Sequence, residues 1–146
     1  MIKRFIFDLD GTLIDKVDFS ELVKRKLKEF NYQYTDTQFR QYMQAMQNYE
    51  KEFYKYTFDD YFEYIHQISM IDFSPEYMKN FLSSATKCVP DFVHQDVISA
   101  LNYLKEKYEL VVLTNFFKDV QLLRMENVGL PFMFDDVIGG THLLNQ

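Results

Sequence analysis

Phe5-Ile6-Phe7-Asp8-Leu9-Asp10-Gly11-Thr12 runs an apolar strand straight into two carboxylates, a glycine and a hydroxyl residue. A short, wholly apolar run fits a strand buried on both faces of a parallel sheet, and ligands of such sheets gather at the carboxyl ends of the strands. Asp8 and Asp10 stand at such an end. Two residues apart on extended backbone, their side chains start on one face, and Gly11 permits the sharp turn that swings the second acid towards the first. The pair can divide its labour, one carboxylate serving as nucleophile or metal ligand while the other moves a proton. The stretch reads as a phosphoryl-transfer site.

Further along the chain the pattern splits in two. Val89-Pro90-Asp91 marks a boundary, because the residue before a proline leaves helical geometry. Beyond it a helix (Val97, Ile98, Leu101, Leu104), a strand (Leu110 to Leu113), a helix (Val120, Leu122, Leu123, closing at Gly129) and a strand (Phe134 to Ile138) alternate. That is the signature of βαβ units and a parallel sheet, which the first strand should join. The stretch between is helical. Phe19, Leu22, Val23, Leu27 and Phe30 recur at helical spacing, with Lys24, Arg25, Lys26 and Lys28 on a solvated face. Thr35 with Gln38 forms a capping box ahead of Phe39, Tyr42, Met43, Met46, Tyr49 and Phe53. Thr57 opens a third helix and Ser74-Pro75 a fourth.

Composition narrows the function classes. At 146 residues the chain has room for one domain carrying an inserted module. A net charge of −6, from 16 Lys and Arg against 22 Asp and Glu, argues against a nucleic-acid binder and favours small-molecule chemistry. Cys88 has no partner for an internal disulfide and no neighbouring Cys or His at zinc-site spacing, so a reducing cytoplasm is expected and the thiol reads as structural. Neither a signal peptide nor a membrane span is legible, since Asp8 and Asp10 break the apolar run after Lys3 and Arg4. The 11 Tyr and 15 Phe fall mostly at helical spacing, which assigns them to packing. His66, His94 and His142 lack ligand spacing.

A second strand end supplies a partner for the acids. Leu113-Thr114-Asn115 precedes a helix expected to begin near Phe116 or Phe117, and a hydroxyl beside a helix N-terminus suits a phosphate oxygen. Asp8-Leu9-Asp10-Gly11-Thr12 at one strand end, an inserted helical module, and Leu-Thr-Asn at the next strand end together resemble the haloacid dehalogenase-like (HAD) hydrolase superfamily. The resemblance implies an α/β fold: an incomplete Rossmann-like core of residues 1–14 and 91–146 with three parallel strands, and a helical cap of the first cap class at 15–90. It implies that Asp8 is the nucleophile, forming an aspartyl-phosphate, and that Asp10 is the general acid and base. It also implies that Thr114 holds the phosphoryl group, with Asn115, Gly11 and Thr12 around the same phosphate. Asp8 and the Asp10 backbone carbonyl would contact Mg²⁺. A hard cation with oxygen ligands is also what physical chemistry asks for, because two carboxylates would otherwise repel a phosphate dianion. The second acid resembles the phosphatase members, so a small phosphorylated metabolite is the expected substrate.

After Phe134-Asp135-Asp136-Val137-Ile138-Gly139-Gly140 the family supplies a lysine and then acidic metal ligands on a further strand, and the sequence here ends at Gln146. The expectation is a truncated chain with reduced or no turnover alone. Asp135 and Asp136 precede their strand and should lie at the opposite edge from Asp8. The missing strand would leave the first strand with a bare edge, which invites a homodimer or a complementing segment. The rival reading is a non-catalytic phosphate- or partner-binding remnant that assembles through that edge.

Overall fold

The computed structural model describes residues 1–52 and 56–140. Phe53 and His142 lie outside the described residues. In chain order the elements are β1 (Arg4–Phe7), α1 (Ser20–Glu29), α2 (Asp36–Glu52), α3 (Phe58–Ser69), α4 (Pro75–Ala85), α5 (Gln95–Lys105), β2 (Glu109–Phe117), α6 (Lys118–Asn127) and β3 (Asp136–Gly140). They form two compact units, Met1–Val17 with Thr86–Gln146, and Asp18–Ala85. None of the described helices is long and apolar enough to cross a membrane.

The first unit is an α/β, Rossmann-like arrangement. Its three strands pair in parallel in the order β1-β2-β3, with Phe5 opposite Leu110, Phe7 opposite Val112, and Val112 opposite Val137. Both steps of that order go the same way, and right-handed crossovers then put the connecting helices on one face. On that face Leu110, Val112 and Val137 pack with Leu101, Met125, Leu130 and Met133, joined by Phe5 and Phe7. The other face carries Ile6, Leu113 and Ile138, which are 59%, 50% and 48% exposed, around a buried Val111. This corrects the expectation of a first strand buried on both faces. β1 is an edge strand whose burial alternates, because the crossover helices cover only one side of the sheet.

β2 also runs further than its apolar core. Thr114, Phe116 and Phe117 favour extended backbone, so the strand continues to Phe117, its register against β3 shifting between Leu113 and Phe117. α6 starts only at Lys118. Thr114 therefore sits in strand backbone, further ahead of the helix than a start near Phe116 or Phe117 would place it.

The second unit consists of α1 to α4, and its boundaries follow local rules. Thr35 N–H donates to Gln38 Oε1 at 2.9 Å while Gln38 N–H donates to Thr35 Oγ1 at 3.1 Å, closing the expected capping box. Thr57 Oγ1 accepts from Asp60 N–H at 3.3 Å, and Ser74 Oγ from Tyr77 N–H at 3.1 Å. α1 packs on α4 and α2 on α3. The interior is aromatic: Tyr42, Tyr49, Tyr61, Phe73, Tyr77 and Phe81 are buried, and the Tyr42 and Tyr77 hydroxyls share a hydrogen bond at 3.2 Å.

Burial pushes the phenols of Tyr42, Tyr61 and Tyr77 above the ordinary value of 10.0. The unfolded chain can release those protons at a pH where the folded unit cannot. Stability is therefore level below the ordinary value and falls as pH rises above it. We expect the urea midpoint, followed by helical circular dichroism, to drop between about pH 9 and about pH 11, and Tyr61→Phe to flatten that drop. Equal steepness in the two proteins would show that burial of this phenol does not set the alkaline limit.

Candidate active site

The first acid leaves β1 directly. Asp8 follows Phe7, the last residue of the strand, and so stands one position past the Phe7–Val112 pair, while Thr114 stands two past it on β2. Parallel strands end on the same side, which brings the two residues to one edge of the sheet. After Asp8 the chain folds back at once. The Leu9 carbonyl accepts from the N–H groups of Thr12, Leu13 and Ile14 at 3.2, 3.0 and 3.2 Å, and Gly11 N–H donates to the Ile14 carbonyl at 2.7 Å. Leu9, Leu13 and Ile14 are buried in the core and pin the loop from below. The turn requires Gly11 at φ 79°, left-handed backbone that a side chain resists.

This loop gives the two carboxylates unlike surroundings. Asp8 is exposed, and its Oδ1 accepts the following Leu9 N–H at 2.8 Å. Asp10 turns instead into a polar network on α6. Arg124 donates from Nη2 to Asp10 Oδ1 and from Nη1 to Asp10 Oδ2, both at 2.9 Å, a two-bonded fork. Gln121 Nε2 donates to Asp10 Oδ2 at 3.1 Å and to Thr114 Oγ1 at 2.8 Å, while its Oε1 accepts from Arg124 Nη1 at 2.8 Å. That pattern decides which way the Gln121 amide faces: flipped, it would set its NH₂ against the guanidinium and its oxygen against the carboxylate. Arg124 is 1% exposed and Thr114 5% exposed. Asp10 and Thr114 are thus joined through one glutamine.

The remaining expected residues fall around this pair. Thr12 and Asn115 are exposed, Thr12 on the loop and Asn115 in β2 beside Thr114. Asp135 bonds both ways with Leu110, its N–H to the Leu110 carbonyl at 2.8 Å and its Oδ2 from Leu110 N–H at 2.9 Å. Asp136 pairs with Val111. Both acids lie towards the start of β2, at the sheet end away from Asp8. His94 and Asp15 approach to 3.1 Å within the first unit, and His66 and Asp72 to 3.2 Å within the second.

The described residues contain no cluster of three or more His, Cys, Asp or Glu able to hold a metal ion. The donor chemistry nevertheless suits a hard cation at Asp8, whose carboxylate is exposed. Mg²⁺ is commonly held by one or two carboxylates, with water and phosphate oxygens completing its shell. Both Asp10 carboxylate oxygens accept from Arg124, so this acid is directed to the guanidinium while Asp8 stays exposed.

The sequence profile described as haloacid dehalogenase-like hydrolase matches residues 5–146. The chain belongs to that family. Solved structures agree on the fold. The HAD-hydrolase candidate YfnB of Bacillus subtilis, solved bound to magnesium, superposes with a TM-score of 0.63 at 18% identity over 94% of this chain and 65% of its own. L-2-haloacid dehalogenase of Xanthobacter autotrophicus, solved with chloropropionic acid covalently bound, gives 0.60 at 16% identity, over 95% of this chain and 57% of its own. A candidate β-phosphoglucomutase of Thermotoga maritima gives 0.53 at 20% identity, over 99% and 64%. The chain therefore spans less than two thirds of each of these HAD structures. No curated protein sequence matches it significantly.

Gln121 and Arg124 are not legible from the acidic motif. Of the apolar residues Val120, Leu122 and Leu123 that mark the helix, Val120 is buried, Leu122 is half-buried against the core and Leu123 is 36% exposed, while Phe117, Gln121, Arg124 and Met125 turn inward with Val120. Those five positions do follow helical spacing, so the available signal was two polar residues interrupting an otherwise apolar stripe. For the loop, we expect Gly11→Ala to lower stability by about 1–2 kcal/mol, because a Cβ opposes the left-handed backbone. Urea denaturation would measure it, and an unchanged midpoint would mean that the turn relaxes to another conformation.

Proposed function

We propose that this HAD-family chain hydrolyses phosphate monoesters of small metabolites through an aspartyl-phosphate, with Mg²⁺ as cofactor. The observation that carries the reading is the meeting of Asp8, Asp10 and Thr114 at the carboxyl ends of β1 and β2, with Asp10 and Thr114 sharing the Gln121 amide. Asp8, exposed at the strand end, attacks phosphorus. The P–O bond to the leaving alcohol breaks, and Asp10 gives that oxygen a proton. Asp10 then takes a proton from water as the water attacks the phosphorus of the aspartyl-phosphate, which regenerates Asp8 and releases phosphate. Thr114, accepting from Gln121, keeps its own O–H to donate to a phosphoryl oxygen.

The second acid is what favours a phosphatase over a dehalogenase. An alkoxide leaving group needs a proton in the transition state, whereas a halide does not, so a carboxylate placed to move protons has work only in the first case. Bound Mg²⁺, held by Asp8 and the Asp10 main-chain carbonyl, would neutralise charge between nucleophile and phosphate.

A second reading is favoured by a separate observation. Ile6, Leu113 and Ile138 are exposed on one sheet face, and β1 is an edge strand. Under this reading the chain binds phosphate without turning it over and pairs with a second copy along β1.

Hydrolysis of p-nitrophenyl phosphate with Mg²⁺ separates the readings. We expect Asp8→Asn to lower kcat by at least about 100-fold, since the covalent route is lost. Equal rates in the two proteins would remove Asp8 as nucleophile. Binding of trifluoroberyllate without turnover, together with a concentration-dependent dimer in sedimentation, would favour the second reading.

A further inference from the structure

We propose that Arg124 is a positioning residue for this chemistry, acting on the substrate only through Asp10. The inference rests on the hydrolase reading above and adds to it a residue that the acidic motif does not contain.

At 1% exposure Arg124 is out of reach of a substrate, so it does not serve as a phosphate clamp. Its guanidinium is held on several sides. Nε donates to the Cys88 carbonyl at 2.7 Å, Nη1 to Gln121 Oε1 at 2.8 Å and to Asp10 Oδ2 at 2.9 Å, and Nη2 to Asp10 Oδ1 at 2.9 Å. A guanidinium is planar and its paired N–H groups are parallel, so a carboxylate bonded to both must lie close to the same plane. Because the Cys88 and Gln121 contacts prevent the guanidinium from turning, Arg124 sets the plane of the Asp10 carboxyl and the directions of the lone pairs that remain. Gln121 extends the same constraint to Thr114, at 2.8 Å. The proton-moving group and the phosphate-holding hydroxyl are thus fixed to one rigid support on α6. A proton is transferred efficiently only along a well-aligned hydrogen bond, so the orientation bears on general acid catalysis rather than on substrate binding.

That distinction can be measured. The full chain, with Mg²⁺, is assayed on phenyl phosphate, whose leaving group needs a proton, and on dinitrophenyl phosphate, whose leaving group does not. We expect Arg124→Met to lower kcat on phenyl phosphate by about 100-fold and on dinitrophenyl phosphate by less than about 5-fold, with KM for both within about 3-fold of wild type. Adding Arg124→Met to Asp10→Asn should cause no further loss, because both changes remove the same function. An equal fall on the two esters, or a loss additive with Asp10→Asn, would overturn the proposal in favour of a purely structural arginine. If Arg124→Met does not fold, Arg124→Lys keeps the charge without the fork; the same ester-selective loss supports the proposal, and wild-type rates overturn it. Should the wild-type chain hydrolyse neither ester, the hydrolase reading fails separately. The fork on which the proposal stands is then read from the Arg124 guanidinium N–H resonances: slowly exchanging signals that move in Asp10→Asn support the fork, and signals indifferent to that change overturn the proposal.

Discussion

A guanidinium cannot give up its charge, and burying one without partners costs on the order of several kcal/mol. Arg124 is almost wholly buried, so its surroundings are obliged to supply acceptors. They come from separate stretches: Asp10 from the loop after β1, Gln121 from the preceding turn of the same helix, and the Cys88 carbonyl from the segment that returns to the first unit. Asn127, one further turn along α6, donates to the Thr86 carbonyl at 2.9 Å and ties the same returning segment again. The loop that carries both acids is therefore held from two directions. Leu9, Leu13 and Ile14 fix it from the apolar core, and the guanidinium fork fixes it at Asp10.

The sheet then decides what the network can reach. Because the strands are parallel, Asp8 and Thr114 leave at one end, while Asp135, which precedes β3, bonds to Leu110 at the other. No local adjustment could bring Asp135 to the site. The same topology places both crossover helices on one face, which lets α6 carry Gln121 and Arg124 to the loop. It also leaves Ile6, Leu113 and Ile138 without cover from those helices.

What could be read from the sequence follows the range of the interaction involved. The caps at Thr35, Thr57 and Ser74 were legible because each depends on residues within one helical turn. The strand at Phe5-Ile6-Phe7 and the division of the chain into an α/β part and a helical part were legible from hydrophobic period. Exposure of Ile6 was not, because it depends on which helices a crossover delivers to which face, a property of the whole sheet. The end of β2 was misplaced for a related reason: Thr114 to Phe117 can serve as strand or as helix start, and packing of Phe117 decides it. Asp8, Asp10 and Thr114 were legible as a motif. Gln121 and Arg124 were hidden, since a polar residue on a helix reads as surface unless something distant requires it inside.

Motif spacing makes Asp8 and Asp10 look equivalent, and their surroundings make them different. A nucleophile must reach the substrate, and Asp8 is exposed with one oxygen on the neighbouring Leu9 N–H. A group that moves protons in both directions needs a fixed orientation more than reach, and Asp10 is bound on both oxygens by a side chain that is itself held. Where two carboxylates share a site, it is their environments that separate their roles. The proposed division of labour, nucleophile for the first acid and proton transfer for the second, thus draws support from exposure and hydrogen bonding as well as from the order in which the motif presents them.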